Sequence, residues 1–273
     1  MYKKKRTRNG KNKYLLIIGL LLIIFSFCYH IQISRIAIRL FYFVENQIYK
    51  NNANQSKNLK HFGIPIPGKY AVHGIDVSRY QDYIDWKEVK KMKVDSIKIS
   101  FAFIKATEGK CRIDRFFSIN WENAKKNQII RGAYHFYRPQ VSSKLQAENF
   151  ISNVKLEKGD LPPVLDIETL VTGYQVDNTI RGIKNWLKVI EKAYHVKPII
   201  YTNIDFYNNY LTDEGLGDYP LWIAHYYQEK VRLNQIWYFW QHNDKGKVNG
   251  IKGEVDFNVF NGNMEDLQEL CKK

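Results

Sequence analysis

From residue 70 onward, short runs of apolar and β-branched residues recur along the chain, separated in many places by stretches of helical periodicity. Eight such runs stand at 72–77, 97–105, 130–136, 163–167, 198–202, 221–225, 237–241 and 255–259. Runs of this length and composition, spaced by helical segments, predict parallel strands joined by crossovers, and eight strands are the number that closes a barrel. The helical pattern is clearest at 86–93, 116–127, 142–154 and 178–194. The later connections are too short for full helices. The expected fold is therefore α/β: an irregular eight-stranded TIM-like (β/α) barrel with fewer than eight outer helices, occupying residues 70–273.

The first 69 residues follow a different pattern. Between Tyr14 and Tyr29 almost every residue is Leu, Ile or Phe, and the apolar character continues through Ile31 and Ile33. A run of this length can span a bilayer. Seven basic residues, from Lys3 to Lys13, precede it, and the positive-inside rule then keeps the N-terminus in the cytoplasm. The expectation is a basic head at 1–13, a transmembrane anchor at 14–33, and a single-pass protein with its catalytic domain on the outer side, in the periplasm or at the cell surface. A cleaved signal peptide is the rival, but no small-residue cleavage site follows the run. Ile36, Leu40, Phe43 and Val44 suggest either an amphipathic helix at the bilayer surface or a continuation of the anchor. The Asn-rich stretch and Ile64-Pro65-Ile66-Pro67-Gly68 read as a tether, completing a linker at 34–69.

Charge changes the picture less than its size suggests. The formal net charge is +15, of which the head supplies +7 and the stretch from Arg35 to Lys60 another +4, leaving +4 for the rest. The domain carries no basic stripe, so no nucleic-acid partner is expected. Cys28, Cys111 and Cys271 lie far apart without metal-ligand spacing, so neither a metal nor an organic cofactor is expected. Cys111 and Cys271 stand either as two free thiols or as a disulfide pair.

Catalytic groups of a parallel barrel lie at the C-terminal ends of its strands, where the loops converge. Asp76 closes the first run, Asp166 and Glu168 close the fourth, and Asp256 lies in the eighth. Residues two apart on a strand share a face, so Asp166 and Glu168 lie side by side. Each resists the other's ionisation, which holds a proton near neutral pH beside a base. A bare Asp-x-Glu is more often a solvated strand end. Here the apolar Leu161-Pro162-Pro163-Val164-Leu165 leads into it and buries the strand. Aromatic residues recur at the other strand ends: Tyr134, Phe136, Tyr201, Trp222 and Tyr226, with Tyr80 just beyond the first. Singly each reads as core, but together at one rim they suit the flat faces of sugars. Lys105 and Gln241 close two further runs, placed to bind substrate or to brace the acids, and Lys105 requires a carboxylate partner if buried.

These blocks resemble the N-acetylmuramidases of glycoside hydrolase family 25, collinearly from about Val72 to Asn261. His73-Gly74-Ile75-Asp76-Val77-Ser78 with Gln81 is similar to the opening block, and residues 103–109 and Gly132-Ala133-Tyr134-His135-Phe136 to the next two. Residues 165–168, 198–203, 221–226 and Val255-Asp256-Phe257-Asn258 follow in order. The departures fall at 110–115, around Cys111 and Arg115, and no wall-binding repeat is recognisable. The resemblance implies an irregular barrel that hydrolyses the β-1,4 bond after N-acetylmuramic acid in peptidoglycan glycan strands.

On this reading Glu168 is the acid, and Asp166 stabilises the oxocarbenium-like transition state or positions the 2-acetamido group for internal attack. Asp76 and Asp256 orient substrate and tune both. The expected partners are peptidoglycan and, through the N-terminal helix, a lipid bilayer, with the protein a monomer. Two rivals remain. One is a tethered sugar-binding module that does not cut. The other is a chitin-type glycosidase, whose Asp-x-x-Asp-x-Asp-x-Glu run is absent here because Pro162 and Leu165 are not acidic.

Overall fold

The computed structural model describes residues 59–170 and 175–273. The expected anchor at 14–33, and the linker as far as residue 58, lie outside the described residues. Among those described, no helix is long and apolar enough to cross a membrane.

Eight strands close on themselves: β1 (Val72–Val77), β3 (Ile97–Glu108), β5 (Ile130–Phe136), β6 (Val164–Asp166), β7 (Ile199–Asn203), β8 (Leu221–Ala224), β9 (Phe239–Gly246) and β10 (Val255–Phe260). Two short strands, β2 (Lys93–Val94) and β4 (Arg112–Ile113), pair antiparallel with β3 outside the ring. From β1 through β3 and on to β9 every pairing within the ring is parallel. The last strand departs from the expected all-parallel barrel: β10 runs antiparallel to both β9 and β1. The reason lies in the connection between β9 and β10, residues 247–254, which turns back without a helix; a parallel return needs a crossover of a dozen or more residues. This reversal has a direct effect on the site. Asp256 stands near the start of its strand, which in a parallel strand would be the closed end, but here it faces Asp76 in register.

Outer helices form where helical periodicity was clear: α1 (Trp86–Lys91), α2 (Phe117–Lys126), α3 (Ser143–Asn153) and α4 (Val176–Tyr194), with α5 (Met264–Leu270) after the last strand. In α4, Ile180, Ile183, Trp186, Leu187, Ile190 and Tyr194 recur on one buried face, and a stripe at this spacing seats a helix against a sheet. His195 ends it in the left-handed conformation, φ 58. Between β7 and β8 only a short helical turn and a π turn form, so the second half of the jacket is irregular, as the short connections predicted.

Strand alternation sorts side chains into two cores. In β1, Ile75 and Val77 face outward to the jacket, while Val72 faces the barrel interior. That interior is filled by Phe101, Phe103, Trp222, Phe239 and Phe260, with Phe103 and Trp222 stacked at 4.2 Å. The inward positions beside them on β1 and β5 are Gly74 and Gly132, where any Cβ would collide with the rings of Phe101 and Phe103. Phe62, Ile64 and Ile66, read from sequence as tether, are buried in the jacket core, and Phe62 meets Phe257 edge-on at 5.4 Å. The domain's packing therefore begins ahead of Tyr70, with Phe62, Ile64 and Ile66 joining the jacket core.

A charged pair is built into the barrel wall. Arg131 Nε and Nη2 donate to Asp160 at 2.8 and 3.1 Å, with both side chains almost fully buried, and the guanidinium lies 4.0 Å from the Trp121 ring. Removing one partner of such a pair leaves an uncompensated buried charge. Arg131→Met is expected to lower folding stability by about 3–5 kcal/mol, read from the denaturant midpoint, and a shift below about 1 kcal/mol would contradict the buried-pair account.

Candidate active site

All twelve residues picked out from the sequence line one cleft at the mouth: Asp76, Tyr80, Lys105, Tyr134, Phe136, Asp166, Glu168, Tyr201, Trp222, Tyr226, Gln241 and Asp256, joined by Ser78 around about 210 Å³ of free volume. The strands explain why. Asp76 and Asp166 are inward positions near the C-terminal ends of β1 and β6, and Gln241 is the inward position two residues after Phe239 on β9. Glu168 continues the alternation two residues past Asp166, and the antiparallel β10 brings in Asp256.

The acids form two pairs. Asp166 is buried, and its Oδ1 has no hydrogen-bond partner among the described residues. Its carboxyl is held well above the usual range, first by burial and then by the charge of Glu168. Glu168 is only partly buried. It too is raised by burial, against the hydrogen bond with Asp166 and the nearby charge of Lys105, both of which lower it. The pair thus holds on to a proton with the more accessible member uppermost. Across the cleft, burial pushes Asp76 up to about 6, opposed by hydrogen bonds from Asn258, Gln241 and Asp256. Asp256 is pushed up to about 9 by burial and by the charge and hydrogen bond of Asp76. At neutral pH Asp256 is protonated and donates to Asp76.

The bracing of Asp76 runs deeper than the sequence reading anticipated. Its Oδ2 accepts from Gln241 Nε2 and Asn258 Nδ2, each at 2.7 Å. Gln241 Oε1 accepts the hydroxyls of Tyr201 at 2.6 Å and Tyr226 at 2.8 Å, while Asn258 Oδ1 accepts from Trp222 Nε1 at 2.8 Å. Tyr201 and Trp222 are accordingly buried, at 5% and 2% exposure, and Trp222 has a face covered by Phe103. They stand beneath the cleft as props, not as open stacking platforms. Tyr80, 75% exposed on the turn after β1, is the open ring at the rim. Lys105 is paired as expected, but with Glu108 at 2.9 Å.

Asn258, Glu108 and Arg138 were not singled out from sequence. Asn258 sits two positions after Asp256, and the same alternation that paired Asp166 with Glu168 points to it. Glu108 and Arg138 meet across neighbouring strands, a contact without local signature. Cys111 is exposed and Cys271 is buried; both are free thiols.

The raised Asp256 carboxyl makes stability depend on pH. A group whose folded pKa lies above its unfolded value stabilises most below the unfolded pKa, near 4, and loses that contribution as pH rises through about 9. Asp256→Asn is expected to flatten the fall in urea midpoint between pH 5 and 9, where one such group contributes at most about 1.4 kcal/mol per unit. An unchanged slope would contradict the protonated state of Asp256.

Paired carboxyls of unequal ionisation in one cleft are what glycosidic cleavage requires, so a carbohydrate-cleaving barrel is the class these features define. Comparison with known proteins agrees. Residues 75–251 match the Glycosyl hydrolases family 25 profile, and the chain belongs to that family. It is 47% identical over 212 residues to YegX of Escherichia coli K12, covering 77% of each chain. It is 38% identical to Lysozyme M1 of Streptomyces globisporus, covering 73% of this chain and 71% of that one. Among solved structures, a family 25 glycosyl hydrolase from Bacillus anthracis aligns with a TM-score of 0.70 and 34% identity, covering 76% of this chain and 97% of that one.

Proposed function

We propose that this glycoside hydrolase is a muramidase, cleaving the β-1,4 bond between N-acetylmuramic acid and N-acetylglucosamine in peptidoglycan. The observation that carries the reading is the Asp166–Glu168 pair, raised and coupled, in the same cleft as the braced Asp76. Glu168, partly open to the cleft, protonates the leaving glycosidic oxygen. Asp166, deeper and without a hydrogen-bond donor on Oδ1, stabilises the positive charge that develops on the sugar, or holds the 2-acetamido group in place to attack it. Asp76 is fixed by two amide donors and orients substrate, with Asp256 as its proton donor. The purified full-length protein is expected to release soluble muropeptides from peptidoglycan and to leave chitin intact. Release from chitin alone would contradict the assignment.

The same proposal includes the setting. Seven basic residues ahead of the apolar run at 14–33 support a single-pass anchor with the N-terminus in the cytoplasm and a monomeric catalytic domain outside. A tethered enzyme samples only what its linker reaches, which suits remodelling of the producer's own wall. In fractionated cells the protein is expected to remain in the membrane pellet after alkaline carbonate extraction, and recovery in the soluble fraction would contradict the anchor.

A further inference from the structure

The floor of the cleft is acidic, but one of its walls is cationic. Glu108 Oε2 accepts from Lys105 Nζ at 2.9 Å, while Oε1 accepts from Arg112 Nη1 at 2.9 Å and Arg138 Nη2 at 2.6 Å. Three cations share one carboxylate, so positive charge is in excess. Although burial raises it, hydrogen bonds from Arg138 and Lys105 hold Glu108 at about 2, and the cluster keeps the same charge across the working pH range. Lys105 and Arg138 each lie 4.6 Å from the centroid of Phe136, a ring that lines the cleft. Glu108, Phe136 and Asp166 are register partners on adjacent strands, which sets the cluster two strand spacings, about 10 Å, from Asp166. That is the reach of a substituent on a sugar beside the bond being cut.

This wall is held in place from behind. Gln146, fully buried on α3, accepts from Arg138 N and donates to Arg138 O, both at 2.9 Å. One turn further along the same helix, buried Asn149 donates to Gly109 O at 2.9 Å and to Arg112 O at 3.2 Å. Ion pairs as exposed as Arg112–Glu108 add little to folding, so stability does not account for two buried amides fixing both arginine backbones. Pre-ordering of this kind does lower the cost of binding a ligand. The guanidinium side chains themselves remain accessible, at 71% and 49% exposure.

Building on the muramidase reading, we infer that Arg112 and Arg138 form a subsite for a carboxylate carried on the 3-O side chain of a muramoyl ring next to the scissile bond. Planar guanidinium groups match carboxylates in geometry and charge. The carboxylate has two sources: the stem peptide, or the lactyl group itself once the peptide has been removed. Chitin carries the same acetamido groups and no carboxylate, so the subsite also selects against it.

The test compares full-length wild type with R112Q/R138Q, and with R112E alone as a variant at an exposed position. The substrates are stem-bearing peptidoglycan, the same strands stripped of peptide by an amidase, and strands whose carboxylates have been converted to neutral amides. The double variant is expected to show KM raised about tenfold on carboxylate-bearing strands, with kcat retained, and to match wild type on the amidated strands. R112E alone is expected to raise KM in the same direction. Loss confined to stem-bearing strands assigns the carboxylate to the peptide; loss confined to stripped strands assigns it to the lactyl group. Unchanged KM on both, or an equal loss on amidated strands, overturns the subsite. Wild type that cuts none of the three refutes the muramidase reading instead.

Discussion

Glu168→Gln is expected to lower kcat on peptidoglycan by about 10³-fold, within the span of about 10²–10⁴-fold that a positioned acid contributes, while KM changes little. Gln keeps the shape and the hydrogen-bonding capacity of the side chain, so binding in the cleft is preserved. What it lacks is a proton to give. The leaving oxygen would then depart as an alkoxide, since the proton of Asp256 is given to Asp76, Asp76 is held by Gln241 and Asn258, and Lys105 is engaged by Glu108. Kinetics on purified peptidoglycan check this, and a variant within tenfold of wild type would remove Glu168 from the mechanism.

Asp166→Asn carries the second-largest effect and a more diagnostic one. Loss of the buried carboxylate removes the charge that stabilises the sugar cation, or the group that holds the acetamido for attack, and kcat is expected to fall about 10²–10³-fold. A second consequence follows from coupling. Two adjacent acids titrate together: the charge of Glu168 raises Asp166, while the hydrogen bond with Asp166 lowers Glu168. With an amide in place of the acid, Glu168 loses the hydrogen bond that lowers it, so it keeps its proton to higher pH and the alkaline limb of the residual pH–rate profile is expected to move to higher pH. A fall in rate with the limb unmoved would mean that the two carboxyls ionise independently.

The path from residues to site was partly visible before any coordinates. β1 and β5 span the predicted runs, and the paired acids on β6 needed only the two-residue period of a strand. Direction was less visible. The run at 255–259 reads the same whichever way it points, because side-chain alternation carries no polarity; the short connection at 247–254 that reverses β10 emerges only because β9 extends to Gly246, past the run that ended at Gln241. Had β10 been parallel, Asp256 would sit at the closed end, far from Asp76. The roles of Tyr201 and Trp222 were also hidden. An aromatic at a strand end looks alike whether it faces a ligand or supports a neighbour, and its hydrogen bonds to Gln241 and Asn258 depend on strands far apart in sequence. Ile64 and Ile66 are each followed by a proline and so read as tether. Their burial comes from packing into the jacket core, which local pattern cannot reveal.

The account rests on which bond the acid pair breaks, and the reducing ends of the products report that directly. Peptidoglycan digested by the full-length protein, reduced with borohydride and analysed by mass spectrometry, is expected to yield fragments ending in reduced N-acetylmuramic acid, at an initial rate about 10³-fold lower from the Glu168→Gln protein. Fragments ending in reduced N-acetylglucosamine, or equal initial rates from both proteins, would contradict it.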